Sequence, residues 1–277
     1  MPLPRLRLAA LAALLTMSPS AAPAQALQGQ TATSSLRQQF EQISRRRIVF
    51  GHQSVGENLL QGLADLSSEA GVPLRVVESE APEALEQPGL VHRKIGKNEQ
   101  PETKIAHFTT LLEGGLGQRA EIALYKLCYV DFGPDRDAAR LFAGYRAAHQ
   151  ALRARFPATT FVHVTVPLTV VQRGLTGWVK NTFGGGAWGE RENVLRHQFN
   201  QLLRAEYEGK EPIFDLARAE STGEDGAEST FERGGARYPA LVPAYSDDGQ
   251  HLNAAGRRRA ALALISTLAG IPATTPR

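Results

Sequence analysis

Short apolar runs rich in β-branched residues alternate along this chain with longer amphipathic stretches, and that alternation restricts the fold more than any other feature. The spacing predicts strands at Arg47–Phe50, Leu74–Val77, Ile122–Val130, Thr160–Val166 and Pro212–Leu216. Helices are expected at Leu36–Arg45, Val55–Ala70, Glu102–Leu112, Asp135–Arg155, Glu190–Glu208 and Asn253–Leu268. Unbroken apolar strands suit a parallel sheet covered on both faces, because neither side then needs a polar register. Strands separated by helices make right-handed βαβ units. The expected result is an α/β fold, a three-layer α/β/α sandwich forming a single domain over residues 27–277.

The first 26 residues have a different character. Arg5 and Arg7 precede an apolar run from Leu8 to Met17, and Ala22-Pro23-Ala24-Gln25-Ala26 offers small-x-small cleavage options. That is the pattern of a signal peptide, residues 1–26, cut after Ala26 or alternatively after Ala24. The apolar run is too short for a permanent transmembrane helix, so the expectation is a periplasmic or secreted protein without stable membrane insertion. Cleavage would lower the formal charge from +3 to +1, since Arg5 and Arg7 leave and no acid does. A near-neutral chain with scattered aromatics does not suit nucleic acid. The single Cys128 lies in an apolar run and reads as a buried structural thiol.

Two segments carry candidate chemistry. Arg47-Ile48-Val49-Phe50 runs into Gly51-His52-Gln53-Ser54-Val55-Gly56 and then a helix, a strand–tight turn–helix unit with a serine at the turn. Such turns are where α/β folds place nucleophiles and anion sites. Far along the chain, Asp248-Gly249-Gln250-His251 puts a carboxylate three residues before a histidine, just ahead of the last helix. A general-base imidazole needs a partner that fixes its tautomer, and an Asp-Gly turn can supply one locally.

These two segments, in this order, resemble the SGNH (GDSL-like) hydrolase superfamily, over roughly Arg47 to Leu268. The resemblance implies a flavodoxin-like parallel sheet, with Ser54 as nucleophile, His251 as base and Asp248 as orienting acid. Gly-His-Gln-Ser stands here where the family has Gly-Asp-Ser. The family's middle motifs give a glycine and an asparagine to the oxyanion hole, but the stretch after the third expected strand reads Leu127-Cys128-Tyr129-Val130-Asp131-Phe132. An inward Asp131 would repel an oxyanion. Gly96 and Asn98, in a loop, are the expected substitutes, because glycine admits close backbone approach and an amide can donate.

Each residue has a second reading. Ser54 also suits an N-cap, with Glu57 three residues on as in a capping box. Asp247 stands beside Asp248 as a possible orienting acid. His52 suits either a hydrogen-bonded support or a substrate contact. Lys126 either emerges at a strand end near the site or pairs with Asp131. His107, His149, His163 and His197 show no metal-ligand spacing, and neither metal nor cofactor is expected. The stretches Pro82–Pro101 and Thr176–Gly189 look irregular, the second reading either as a glycine-rich lid flanked by Trp178 and Trp188 or as a disordered surface loop. The expected partner is a small-molecule or glycan ester, and the expected activity acyl (acetyl) ester hydrolysis. An O-acyltransferase or a non-catalytic glycan-binding protein on the same fold remain alternatives.

Overall fold

The computed structural model describes residues 35–171 and 189–273. Its core is a six-stranded sheet whose strands are β1 (Arg47–His52), β2 (Val76–Glu78), β3 (Gly89–Lys94), β4 (Ile122–Tyr125), β5 (Thr160–Val164) and β6 (Ile213–Phe214), in the order β2-β3-β1-β4-β5-β6. Every pairing in it is parallel. The main helices are α1 (residues 35–43), α2 (Ser54–Ala70), α3 (Pro101–Leu111), α4 (Ala138–Arg155), α5 (Glu190–Tyr207), α6 (Leu216–Ser221) and α7 (Ala254–Ala269). A two-stranded antiparallel hairpin, Thr230–Arg233 with Ala236–Pro239, lies outside the sheet.

Residue alternation assigns the faces. Ile48, Phe50, Ile122, Leu124, Val162 and Val164 enter one core with Phe40 of α1, Leu59 and Leu63 of α2, and Leu264 of α7. Val49, Ala123, Tyr125 and Phe161 enter the other with Phe108 of α3, Leu141 of α4 and Phe199 of α5. A strand turns successive side chains to opposite faces, so strands apolar at every position bury both. The expected α/β/α sandwich is the observed one. With the edge strand β2 set aside, the remaining order matches the flavodoxin-like pattern, whose direction switches beside the first strand. Here the switch falls between β1 and β4, and ligands in such sheets bind beyond the strands' carboxyl ends.

Several boundaries differ from the sequence expectations. The segment Pro82–Pro101 is not one irregular loop, since it contains β3, which pairs with both β1 and β2. The second half of β3 is His-Arg-Lys because it runs out toward solvent, where Arg93 pairs with Glu78 and Glu80 and Lys94 with Glu57. The strand expected through Val130 leaves the sheet after Tyr125 and winds into a 3-10 turn at Tyr129–Asp131. Helix α4 starts three residues later than Asp135, where Asp137 caps it by accepting from the Arg140 N–H. The expected lid at Thr176–Gly189 lies, apart from Gly189, outside the described residues, as does the expected signal segment.

Candidate active site

Ser54 is the first residue of α2, one residue past the turn that follows β1. The turn is tight because Gly56 lets the helix close over a buried imidazole. A Cβ at position 56 would lie 2.2 Å from the His52 Cβ, so only glycine fits without displacing His52. Gln53 fixes the turn from the other side, its Nε2 donating to the carbonyls of Ile95 at 2.8 Å and Gly96 at 3.2 Å. Ser54 is not held as a side-chain cap: Gln53 occupies the N-cap position and makes no side-chain cap bond.

His251 and Asp248 come from the loop before α7. Gly249 takes φ 83°, the left-handed geometry glycine allows at the Asp-Gly turn. Asp248 Oδ1 accepts from the backbone N–H of Gln250 at 2.8 Å and of His251 at 2.7 Å, while Oδ2 meets the His251 Nδ1 at 2.7 Å. Burial alone would raise this carboxyl. The hydrogen bonds from the His251 N–H, the His251 ring and the Gln250 N–H outweigh that and hold it well below the usual carboxylate range. With Nδ1–H given to Asp248, Nε2 is a bare acceptor, and it lies 3.1 Å from Ser54 Oγ. Leu252 N–H donates to Asn58 Oδ1 at 3.1 Å, tying this loop directly to α2. Asp247 instead accepts from Asn253 Nδ2, so Asp248 is the residue that meets the imidazole.

Ser54, His251 and Asp248 thus form one hydrogen-bonded chain at the carboxyl end of β1, beside the switch point. It is open: the His251 side chain is 38 % exposed and that of Asp248 54 %.

The remaining expected site residues make contacts of their own outside the triad. Gly96 donates its N–H to His107 Nδ1 at 3.1 Å and accepts from Gln53 through its carbonyl, so its backbone is committed to the loop. Asn98 is exposed, and its Oδ1 accepts from Lys104 Nζ at 3.1 Å. Neither makes a hydrogen bond to the triad, and the Gly96 N–H expected to serve the hole is taken by His107. Asp131 does not face the site. It is fully buried, paired with Lys104 rather than Lys126, and accepts the N–H groups of Cys128 and Glu99. Its charge is spent on holding the chain after β4, so the feared repulsion does not arise. Lys126 is also fully buried, its Nζ 3.4 Å from both the Leu127 carbonyl and Cys128 Sγ. It does not emerge at the surface, and Cys128 is a buried free thiol as expected.

His52 is a support. Its Nδ1 lies 2.9 Å from the Gln53 carbonyl, which can only accept, so Nδ1 carries the proton and the bare Nε2 accepts from His92 Nδ1 at 3.0 Å. Desolvation pushes His52 down to about 4, against the Gln53 carbonyl bond that favours protonation, so the ring is neutral at pH 7.

Two residues escaped the sequence reading. Tyr129, in the stretch after β4, places its hydroxyl 3.3 Å from His251 Nε2 with its ring edge-on to the imidazole. Arg196, 3 % exposed, donates through Nε to the Tyr129 carbonyl at 3.0 Å and lies over the Tyr129 ring. The available signal was position: Tyr129 lies in the stretch Leu127–Phe132 that follows the third expected strand. Among the described residues, no group of three His, Cys, Asp or Glu side chains is placed to hold a metal ion. Nor is any described helix long and apolar enough to cross a membrane.

Fold and site together define a parallel α/β/α protein with a Ser-His-Asp chain at its sheet's carboxyl edge. No protein-family model and no curated protein matches the sequence. Solved structures similar to it include a variant of Axe2, an acetyl-xylooligosaccharide esterase from Geobacillus Stearmophilus, at 11% identity, 84% of this chain, 97% of that chain and a TM-score of 0.48. TesA is similar at 12% identity, 80% of this chain, 97% of that chain and a TM-score of 0.46. A member of the lipolytic protein G-D-S-L family from Veillonella parvula is similar at 12% identity, 81% of this chain, 98% of that chain and a TM-score of 0.43. Likeness at this level concerns the path of the chain, and the activities of those proteins are their own.

Proposed function

We propose that this protein is an exported serine hydrolase of acyl esters, with acetyl esters of carbohydrates as the substrate class and an SGNH-type site. The supporting observation is the continuous chain Ser54 Oγ–His251 Nε2 at 3.1 Å and His251 Nδ1–Asp248 Oδ2 at 2.7 Å. In this reading His251 takes the Ser54 proton as Oγ attacks the ester carbonyl. Asp248 holds the imidazole in the required tautomer and supports its positive charge. The Ser54 N–H belongs to the first turn of α2, where backbone donors have no intrahelical acceptor, and it can serve a developing oxyanion. The alcohol leaves with the proton held on Nε2, and water then resolves the acyl-enzyme by the reverse sequence.

The openness of the triad favours water as the acyl acceptor over a second sugar hydroxyl, because transfer requires water to be kept out. Alignment of all three residues also weighs against a purely binding role, which needs no such tautomer control. Export and the carbohydrate choice rest on the Arg5–Ala26 pattern and the family resemblance.

The test is labelling of purified protein with a fluorophosphonate and turnover of a short-chain acyl ester. Adduct on Ser54, together with lost turnover in Ser54→Ala and His251→Ala at unchanged thermal stability, is the expected result. Full turnover in Ser54→Ala would end the acyl-enzyme reading.

A further inference from the structure

The hydroxyls of Ser54 and Tyr129 both address His251 Nε2, at 3.1 and 3.3 Å. A neutral imidazole with its proton on Nδ1 has one lone pair on Nε2, so it accepts one full hydrogen bond there. The serine is the better placed of the two. Once Nε2 takes the serine proton it becomes a donor, and the Tyr129 O–H can no longer donate to it. Its hydrogen must turn to another acceptor.

The reaction brings one in. Nε2 must deliver its proton to the departing alcohol oxygen, so that oxygen has to come within hydrogen-bond distance of Nε2. A group 3.3 Å from Nε2 can reach the same oxygen.

We propose that Tyr129 is a catalytic residue that donates a hydrogen bond to the leaving-group oxygen during acylation. This rests on the serine-esterase reading above. Oγ bonds to the carbonyl carbon, the carbon–oxygen bond to the alcohol breaks, and its electron pair stays on the alcohol oxygen. That oxygen collects the proton Nε2 took from Ser54. Tyr129 keeps its own proton throughout and stabilises the negative charge while it builds.

The surroundings suit this role. Tyr129 is 6 % exposed, and its backbone carbonyl is pinned by the Arg196 Nε. Arg196 is itself held by Thr169 Oγ1 at 2.9 Å and Asn193 Oδ1 at 2.5 Å. Desolvation, with the Asp248 charge adding to it, pushes the phenol up to about 12, so it remains a donor throughout the working pH range. Arg196 acts through Tyr129 and is a positioning residue.

The same placement sets which esters are cleaved well. A sugar or alkyl alkoxide is a strong base that needs help to leave, whereas a nitrophenolate leaves almost unaided. The experiment compares Tyr129→Phe with the parent protein on an acetylated sugar and on 4-nitrophenyl acetate. The phenylalanine keeps the ring contacts to His251 and Arg196 and removes only the hydroxyl. Expected is a fall in kcat/KM of about 10- to 100-fold on the sugar acetate, as for loss of a charge-assisted hydrogen bond. Loss on the nitrophenyl ester should stay within about threefold, and an unchanged melting temperature serves as the folding control.

An equal loss on both esters would mean a structural or oxyanion role, and no loss on either would mean a bystander. Each overturns the proposal. A rise in rate would show that Tyr129 competes with Ser54 for His251, which overturns it too. Ser54→Ala measured alongside separates the two failures. If it abolishes turnover while Tyr129→Phe leaves the ester ratio unchanged, only the Tyr129 assignment falls.

Discussion

Lys104 Nζ lies 2.7 Å from both carboxylate oxygens of Asp131, and both side chains are completely buried. A buried ion pair gains little net stability over an apolar pair, but removing one member strands a charge. Asp131 also accepts the backbone N–H groups of Cys128 and Glu99, so it joins the chain after β4 to the loop after β3. Tyr129 sits inside the segment it organises.

Lys104→Met should therefore lower unfolding free energy by about 3–5 kcal/mol. The double variant Lys104→Met/Asp131→Leu should recover only part of that loss, because the Cys128 and Glu99 N–H groups would remain without their acceptor. Chemical denaturation of the two variants gives the comparison. Full recovery in the double variant would show that the carboxylate's backbone bonds contribute nothing.

Asp248→Asn separates activity from stability. The asparagine Oδ1 can still accept from the Gln250 and His251 N–H groups, so the turn should survive and the melting temperature should change little. Its amide presents a donor to Nδ1, which favours the tautomer with the proton on Nε2 and removes the acceptor for Ser54. An ester-turnover fall of roughly 100- to 10,000-fold is expected, the upper end being the effect known for buried triads. Activity within a few-fold of the parent would show that the half-exposed carboxylate does not set the tautomer.

Gly56→Ala tests the packing beneath the nucleophile. The added Cβ falls 2.2 Å from the His52 Cβ, and its next neighbours are atoms of the same ring. His52 is pinned between Phe50, the Gln53 carbonyl and His92, so it cannot simply swing away. Overpacking of this kind costs about 1–3 kcal/mol. Because the displaced group is two residues from Ser54, turnover should fall in proportion greater than stability does. A fully stable and active Gly56→Ala would show that the turn has slack.

Glu220 gives a signed pH prediction. Desolvation raises its carboxyl from 4.5 to about 8, even though the Leu168 N–H bond and the Lys126 and Arg196 charges favour ionisation. Between those two values the folded state holds a proton that the unfolded state has lost, so stability falls as pH rises. His52 and His163, both lowered from 6.5 to about 4 chiefly by desolvation, act oppositely. Their contribution is complete above 6.5 and is lost as pH falls through 4. Glu220→Gln should keep the acceptor for the Leu168 N–H at 2.7 Å and remove only the first slope. Relative to the parent, the variant should gain stability steadily from about pH 5 to pH 8 in denaturation at stepped pH. A constant difference between the two proteins would mean Glu220 is ionised in the fold.

The legibility of the sequence followed the range of the interactions. β1, β5 and α2 were readable because their apolar periodicity is local. The pairing of Asp248 with His251 was readable for the same reason, since a three-residue turn makes it. β3 was not, because half of Gly89–Lys94 is His-Arg-Lys, polar for partners at Glu57, Glu78 and Glu80 that only the sheet brings near. The strand expected from Ile122 to Val130 was too long, since hydrophobicity continues through Leu127 and Cys128 after the backbone has left the ladder. Gly96 and Asn98 looked free for the same reason. His107 and Lys104, which occupy them, lie on α3, and no local pattern announces that contact.

The packing of α2 against α7 has a further consequence. Ser54 starts the first of these helices and His251 precedes the second, with Leu252 bound to Asn58 and Gly62 set against the Arg257 carbonyl and Ala261. The nucleophile and its base are separated by 197 positions in the chain. A ribosome adds them far apart in time, and while the intervening residues are being made the serine has no base. A chain stalled or clipped before Asp248 would carry at position 54 an alcohol with neither the imidazole nor the carboxylate that address it in the complete fold.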